Sequence, residues 1–156
     1  MFRRPYCVPV SVVVPRFAQI VIDSVDARRT AEFWRQLLGL VYRTGHEPPP
    51  PGVDDRAGRE WLNLCRPDGT RLLAIEQVDQ LTPTTWPDAA VPQQLHLDLV
   101  VDNVDELDAC HERMIELGGT LRDDRCDDPE EPLRVYADPD GHTFCIFVLP
   151  PGGGAP

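Results

Sequence analysis

The sequence predicts an α+β fold: two tandem βαβββ units, about Phe17–Val78 and Leu95–Leu149, whose strands form a curved mixed sheet around a cup. Three observations lead there. Four segments alternate apolar and polar residues at the period of a strand, two others space apolar residues at the period of a helix, and the order strand, helix, three strands occurs twice with equal helix lengths.

The clearest strand is Gln94–Val101. Leu95, Leu97, Leu99 and Val101 share one face, which wants a core, while His96, Asp98 and Val100 share the other. In Phe17–Asp23, Ile20 and Ile22 oppose Gln19, Val21 and Asp23. In Arg71–Val78, Leu73 and Ile75 oppose Ala74 and Glu76, and in Thr143–Val148, Phe144, Ile146 and Val148 oppose Thr143, Cys145 and Phe147. If helices cover the first face of every strand, the second faces line one cup, with Gln19, Glu76, His96 and Cys145 as its polar or reactive members.

In chain order, Asp23–Asp26 supplies caps for a helix over Ala27–Leu38, whose positions Thr30, Phe33, Trp34, Leu37 and Leu38 have helical spacing and which Gly39 stops. Leu40–Arg43 is a short strand. Gly45–Gly58, with Pro48–Pro51, is a loop, either a lid over a site or plain surface. Trp61–Arg66 and Arg71–Val78 form a hairpin around Pro67-Asp68-Gly69. Leu81–Gln94, with Pro83, Pro87 and Pro92 around Trp86, is a linker.

The same order then begins again. Asn103-Val104-Asp105-Glu106 caps a helix that carries Leu107, Cys110, Met114 and Leu117 on one side and ends at Gly118-Gly119. Thr120–Arg122 is a short strand and Asp123–Pro132 an acidic loop. Arg134–Ala137 and Thr143–Leu149 close the unit around Asp138-Pro139-Asp140-Gly141, and His111 and His142 are expected at the surface.

A chain of 156 residues holds one domain, placed at 16–149, with residues 1–15 a disordered or misassigned extension and 150–156 a flexible tail. Val8–Val14 is too short, and too interrupted by Pro9, for a secretory signal. The net charge of −11 argues against nucleic acid and anionic membrane as partners; it either favours a neutral or cationic small molecule or, as acidic surfaces more often do, only keeps the protein soluble. Cys7, Cys65, Cys110, Cys126 and Cys145 show no CxxC pair, so a reduced, cytoplasmic setting is expected. No segment is long enough to span a membrane.

Each candidate has more than one reading. His96, alternating out of a leucine-rich strand, is either a ligand or a half-buried histidine bonded to Asp98. Glu76 binds a metal, acts as a base, or lies in water at a strand end. Cys145 is a thiolate ligand or a small packing residue. Gln19 suits hydrogen bonding better than metal ligation. Asp98 extends the polar lining or sits at its rim, and Trp61 and Trp86 stack on a planar ligand or cover core.

Ala31-Glu32-Phe33-Trp34 with Leu37-Leu38-Gly39-Leu40, Pro92–Leu99, and Asp138–Cys145 together resemble the vicinal-oxygen-chelate superfamily, which includes glyoxalase I, bleomycin-resistance proteins and extradiol dioxygenases. The likeness is greatest to its glyoxalase-like members and runs from Phe17 to Leu149. It implies a metal site at Gln19, Glu76, His96 and Cys145 that would hold one divalent ion such as Zn, Ni, Fe or Mn. The fourth ligand of glyoxalase I is a glutamate that also moves protons, so Cys145 at that position argues against glyoxalase I turnover. The resemblance also implies a homodimer.

Two functions follow. One is a binding protein of the sequestering or resistance type that takes a small organic molecule in the cup with no required metal. The other is a metal-dependent lyase or isomerase acting on vicinal oxygens, with Glu76 as the catalytic proton carrier. A third, an accessory domain, would have its cup filled by side chains.

Overall fold

The computed structural model describes residues 13–149. The expected tail at 150–156, Cys7, and all of the expected extension except Val13, Val14 and Pro15 lie outside the described residues.

The first unit comprises β1 (Ile20–Ser24), α1 (Ala27–Leu38), β2 (Val41–Tyr42), β3 (Trp61–Cys65) and β4 (Arg71–Gln77). The second comprises β5 (Leu97–Val101), α2 (Val104–Glu116), β6 (Thr120–Arg125), β7 (Leu133–Ala137) and β8 (Thr143–Val148). Each forms its own four-stranded sheet, ordered β1-β4-β3-β2 and β5-β8-β7-β6. β1 runs parallel to β4 and β5 parallel to β8, and the remaining neighbours are antiparallel. The tandem βαβββ organisation is therefore the one the sequence predicts.

Local chemistry sets the helix ends. The Asp26 carboxylate accepts the Arg29 N–H, and Gly39 ends α1 at φ 62°, a left-handed conformation open to a residue without Cβ. At α2, Asn103 accepts the Glu106 N–H at 2.9 Å while Glu106 accepts the Asp102 N–H at 3.0 Å, so the reciprocal cap reaches one residue further back than usual.

Both helices cover one face of the sheets, and the buried side chains of both units form a single cluster. Trp34, Phe33 and Phe144 sit at its centre, with Trp34 and Phe144 ring centroids 4.9 Å apart. Because Trp34 belongs to α1 and Phe144 to β8, the two units of one chain close on each other.

The turn between β7 and β8 completes that closure. Asp138, only 3% exposed, accepts Trp34 Nε1–H at 3.1 Å, the backbone N–H groups of Asp140 and His142, and His142 Nδ1 at 3.0 Å. Asp140 accepts the hydroxyls of Ser24 and Thr30 and pairs with Arg29 at 2.8 Å. A buried carboxylate is tolerable only when saturated with donors, and here the turn's own donors are joined by Ser24, Arg29, Thr30 and Trp34 of the first unit. The Asp138–His142 turn is thus a clasp between the repeats.

Three sequence expectations need correction. Leu95 is 62% exposed: it precedes β5 by two residues, and the backbone there has not yet entered the sheet whose alternation would bury it. The acidic loop begins later than Asp123, because β6 continues through Asp124↔Arg134 and Arg125↔Leu133, held by the buried Arg134 guanidinium between Asp124 (3.0 Å) and Asp108 (2.8 Å). His111 and His142 are half-buried and partnered, His111 with the Tyr136 hydroxyl at 3.2 Å and His142 with Asp138.

Candidate functional site

β1 and β5 are the facing edges of their sheets, and a cavity of about 310 Å³ is lined by Ile20–Asp23 on one side and Gln94–Leu97 on the other. Trp34 and the Asp140–Thr143 segment also line it, and Leu81–Thr84 and Val91–Gln93 of the linker form its remaining wall. The linker is fixed by close approach: a Cβ on Gly141 would stand 2.7 Å from Pro83 Cβ, and Gly141 has φ 94°. Glycine is required there on both counts.

A second cavity of about 250 Å³ lies on the inner face of the second sheet, lined by Trp86, Arg125, Val135, Cys145 and others. Gln93, His96 and Thr143 line both cavities. Three of the sequence candidates, Trp86, His96 and Cys145, line this cavity, and a fourth, Asp98, lies beside two of them. Asp98 Oδ1 accepts the Cys145 thiol at 2.8 Å and lies 3.3 Å from His96 Nε2. Burial, and then the Asp98 carboxylate, push the Cys145 thiol up to about 12, so it is a protonated donor and not a thiolate.

The first-unit candidates sit elsewhere. Glu76 is exposed, opposite Asp23 on β1 and Trp61 on β3, and Trp61 is half-buried on the same face. Gln19 immediately precedes β1, and its Oε1 is buried without a hydrogen-bond partner. None of Gln19, Glu76 and Trp61 lines either cavity. The Gly45–Gly58 loop lines neither, and is pinned outside them by Arg28–Asp55 (2.8 Å), Arg28 to the His46 carbonyl (2.7 Å) and the Asn63 N–H to His46 Nδ1 (3.1 Å).

This donor set does not fit a metal within one chain. Among the described residues no group of three or more His, Cys, Asp and Glu is placed to share an ion. The one sulfur at the implied ligand positions is a thiol spent on Asp98.

Sequence reasoning missed Gln93, Thr143, Asp140 and His142 as site residues. Gln93 bonds both Thr143 and His96, and nothing in composition or period marks a linker glutamine for that role. Asp140 and His142 carried one signal, a second aspartate and a histidine in a turn whose first-unit counterpart has a single aspartate.

A family model described as the glyoxalase-like domain matches residues 19–147. The chain belongs to this family. Solved structures share the glyoxalase-like fold at low identity. A glyoxalase/dioxygenase from Nostoc punctiforme is 22% identical with TM-score 0.58, covering 89% of this chain and 97% of that one. The fosfomycin resistance protein FosX from Mesorhizobium loti is 17% identical with TM-score 0.58, covering 87% and 93%. FosX from Listeria monocytogenes, solved with Mn(II) and sulfate, is also 17% identical, with TM-score 0.57 and the same coverage. Among curated proteins none matches this chain. Likeness at this level establishes the fold, on which unrelated activities are built.

Proposed function

We propose that this glyoxalase-like protein binds a small organic molecule in the cavity between its two sheets, as a sequestering or resistance-type binding protein that needs no metal. The observation that supports it is the cavity itself: about 310 Å³, walled by Ile20, Trp34, Leu81 and Leu97, with Asp23, His96 and His142 as convergent polar groups. The net charge of −11 favours a neutral or cationic occupant. A space of this kind also argues against the accessory-domain reading with a filled cup.

The competing reading is a divalent-metal lyase or isomerase. The Mn(II) carried by the Listeria FosX keeps a metal in view for the family. In this chain it would require Glu76, Gln19 and His96 to be brought together, and Cys145 to lose its proton.

A thermal-shift screen of chelator-treated protein separates the two. The binding reading expects organic compounds to stabilise the metal-free protein. Stabilisation by Zn, Ni, Fe or Mn alone, with no organic compound active, would overturn it. Homodimerisation is part of the proposal, the free outer edges β2 and β6 offering strand surface to a second copy, and light scattering expects twice the 17.5 kDa chain mass. Cytoplasmic residence is supported by the free state of Cys65, Cys110, Cys126 and Cys145. Among the described residues no helix is long and apolar enough to cross a membrane.

A further inference from the structure

The two cavities have one wall in common, made of three side chains from three segments: Gln93 of the linker, His96 just before β5, and Thr143 at the start of β8. Gln93 is the centre of that wall. Its Oε1 accepts the Thr143 hydroxyl and its Nε2 lies 3.4 Å from His96 Nδ1. Thr143 is buried at 4% exposure and stands on β8 between two paired strands, so it cannot move without disturbing the sheet. Gln93 is half-buried and belongs to no helix or strand. Rotation about its side-chain bonds is enough to clear the wall, because the backbone of the linker is held independently by Pro83 against Gly141 and by the Thr84 hydroxyl on the Val91 carbonyl at 2.9 Å.

We infer that Gln93 is a specificity-determining residue: its amide divides one elongated binding space into two chambers and so sets the length of molecule the protein accepts. This rests on the reading that the cavity between the sheets is the binding site. The chambers differ in character. The first has apolar walls with Asp23, Asp140 and His142, whereas the second adds Trp86 and Arg125. With the amide in place, a one-ring molecule fits the first chamber. With it displaced, a second ring reaches Trp86, whose indole favours aromatic contact.

Phenol and 4-phenylphenol are suitable probes, since they differ only by the second ring. Affinities are measured by calorimetry for the wild type and Gln93→Ala, with Trp fluorescence as a second readout of the far chamber. Gln93→Ala is expected to raise the affinity for 4-phenylphenol relative to that for phenol by at least about tenfold. Equal changes for both probes, or no gain for the longer one relative to the shorter, overturn the inference while leaving the binding reading intact. Failure of the wild type to bind either probe overturns the binding reading and this inference with it. Gln93→Ala leaves the Thr143 hydroxyl without its acceptor. Should that variant unfold, Gln93→Ala/Thr143→Val removes both partners and carries the same expectations.

Discussion

The inner faces of the two sheets derive from one repeated pattern, yet they have taken different roles. In the first, the centre is closed: Ala74 and Asn63 face each other across β4 and β3 at 0% and 4% exposure, and the loop residue His46 is tied to the Asn63 backbone. In the second, the centre is open: His96 and Cys145 line a cavity, and Asp98 links them. The same contrast holds for the turns. Pro67-Asp68-Gly69 is exposed and bonds only within its own turn, while Pro139-Asp140-Gly141 buries Asp140 against Ser24 of β1 and Thr30 of α1. Repetition fixed the fold in both units, but only the second acquired a clasp and a polar cavity wall.

The sharpest way to break this comparison is at the turns. Asp138→Ala strips the acceptor from Trp34 Nε1, two backbone N–H groups and His142, and a cost of about 3–5 kcal/mol is expected by urea unfolding, the usual consequence of removing one partner from a buried charged network. Asp68→Ala in the matching turn should leave the urea midpoint unchanged. Equal effects of the two would mean the turns are equivalent after all.

A second contrast lies in reactivity. With its thiol pushed up to about 12 from an ordinary value of 9.0, Cys145 should react with a thiol reagent at pH 8 more slowly than an unperturbed cysteine of equal exposure, the scarcer thiolate outweighing its greater nucleophilicity. Asp98→Asn removes part of the cause and should speed the reaction, which mass spectrometry of the labelled residue would follow. A rate unaffected by Asp98→Asn would show that the carboxylate does not hold the thiol.

The third contrast is in pH dependence, where one histidine from each unit acts in opposite directions. Burial, and then the Arg43 charge, lower the His46 value below 6.5, and the neutral ring is the form that can accept the Asn63 N–H. Its contribution is present above pH 6.5 and is lost as pH falls towards the folded value. For His142 burial again opposes the charged form, but the Asp138 hydrogen bond and the charges of Asp138, Asp140 and Asp23 prevail and raise the value above 6.5. Its contribution is complete below pH 6.5 and is lost as pH rises through the folded value. Urea midpoints across roughly pH 5 to 9 should therefore lose their acid-side fall in His46→Gln and their alkaline-side fall in His142→Gln. Identical profiles for the two variants would contradict the opposition.

Much of this was legible in the sequence, and the reason differs by residue. α1 was readable to its ends because caps, period and Gly39 agree, and the helix-facing residues Leu73, Ile75, Phe144 and Ile146 followed from alternation alone. Leu95 failed because period-two reasoning assumes a strand that had not yet started. The link between Asp98 and Cys145 was hidden because it joins side chains 47 residues apart through the register of β5 against β8, which no local pattern encodes. The clasp was hidden for a similar reason, since Ser24 and Asp140 are 116 residues apart.

The central claim is that the space between β1 and β5 binds an organic molecule without a metal. Amide chemical shifts of chelator-treated, isotope-labelled protein titrated with phenol test it most directly. The account predicts shifts that saturate and concentrate at Ile20–Asp23, Gln94–Leu97 and Asp140–Thr143. Shifts that appear only after a divalent ion is added, or that centre on Glu76 and Trp61, would contradict it.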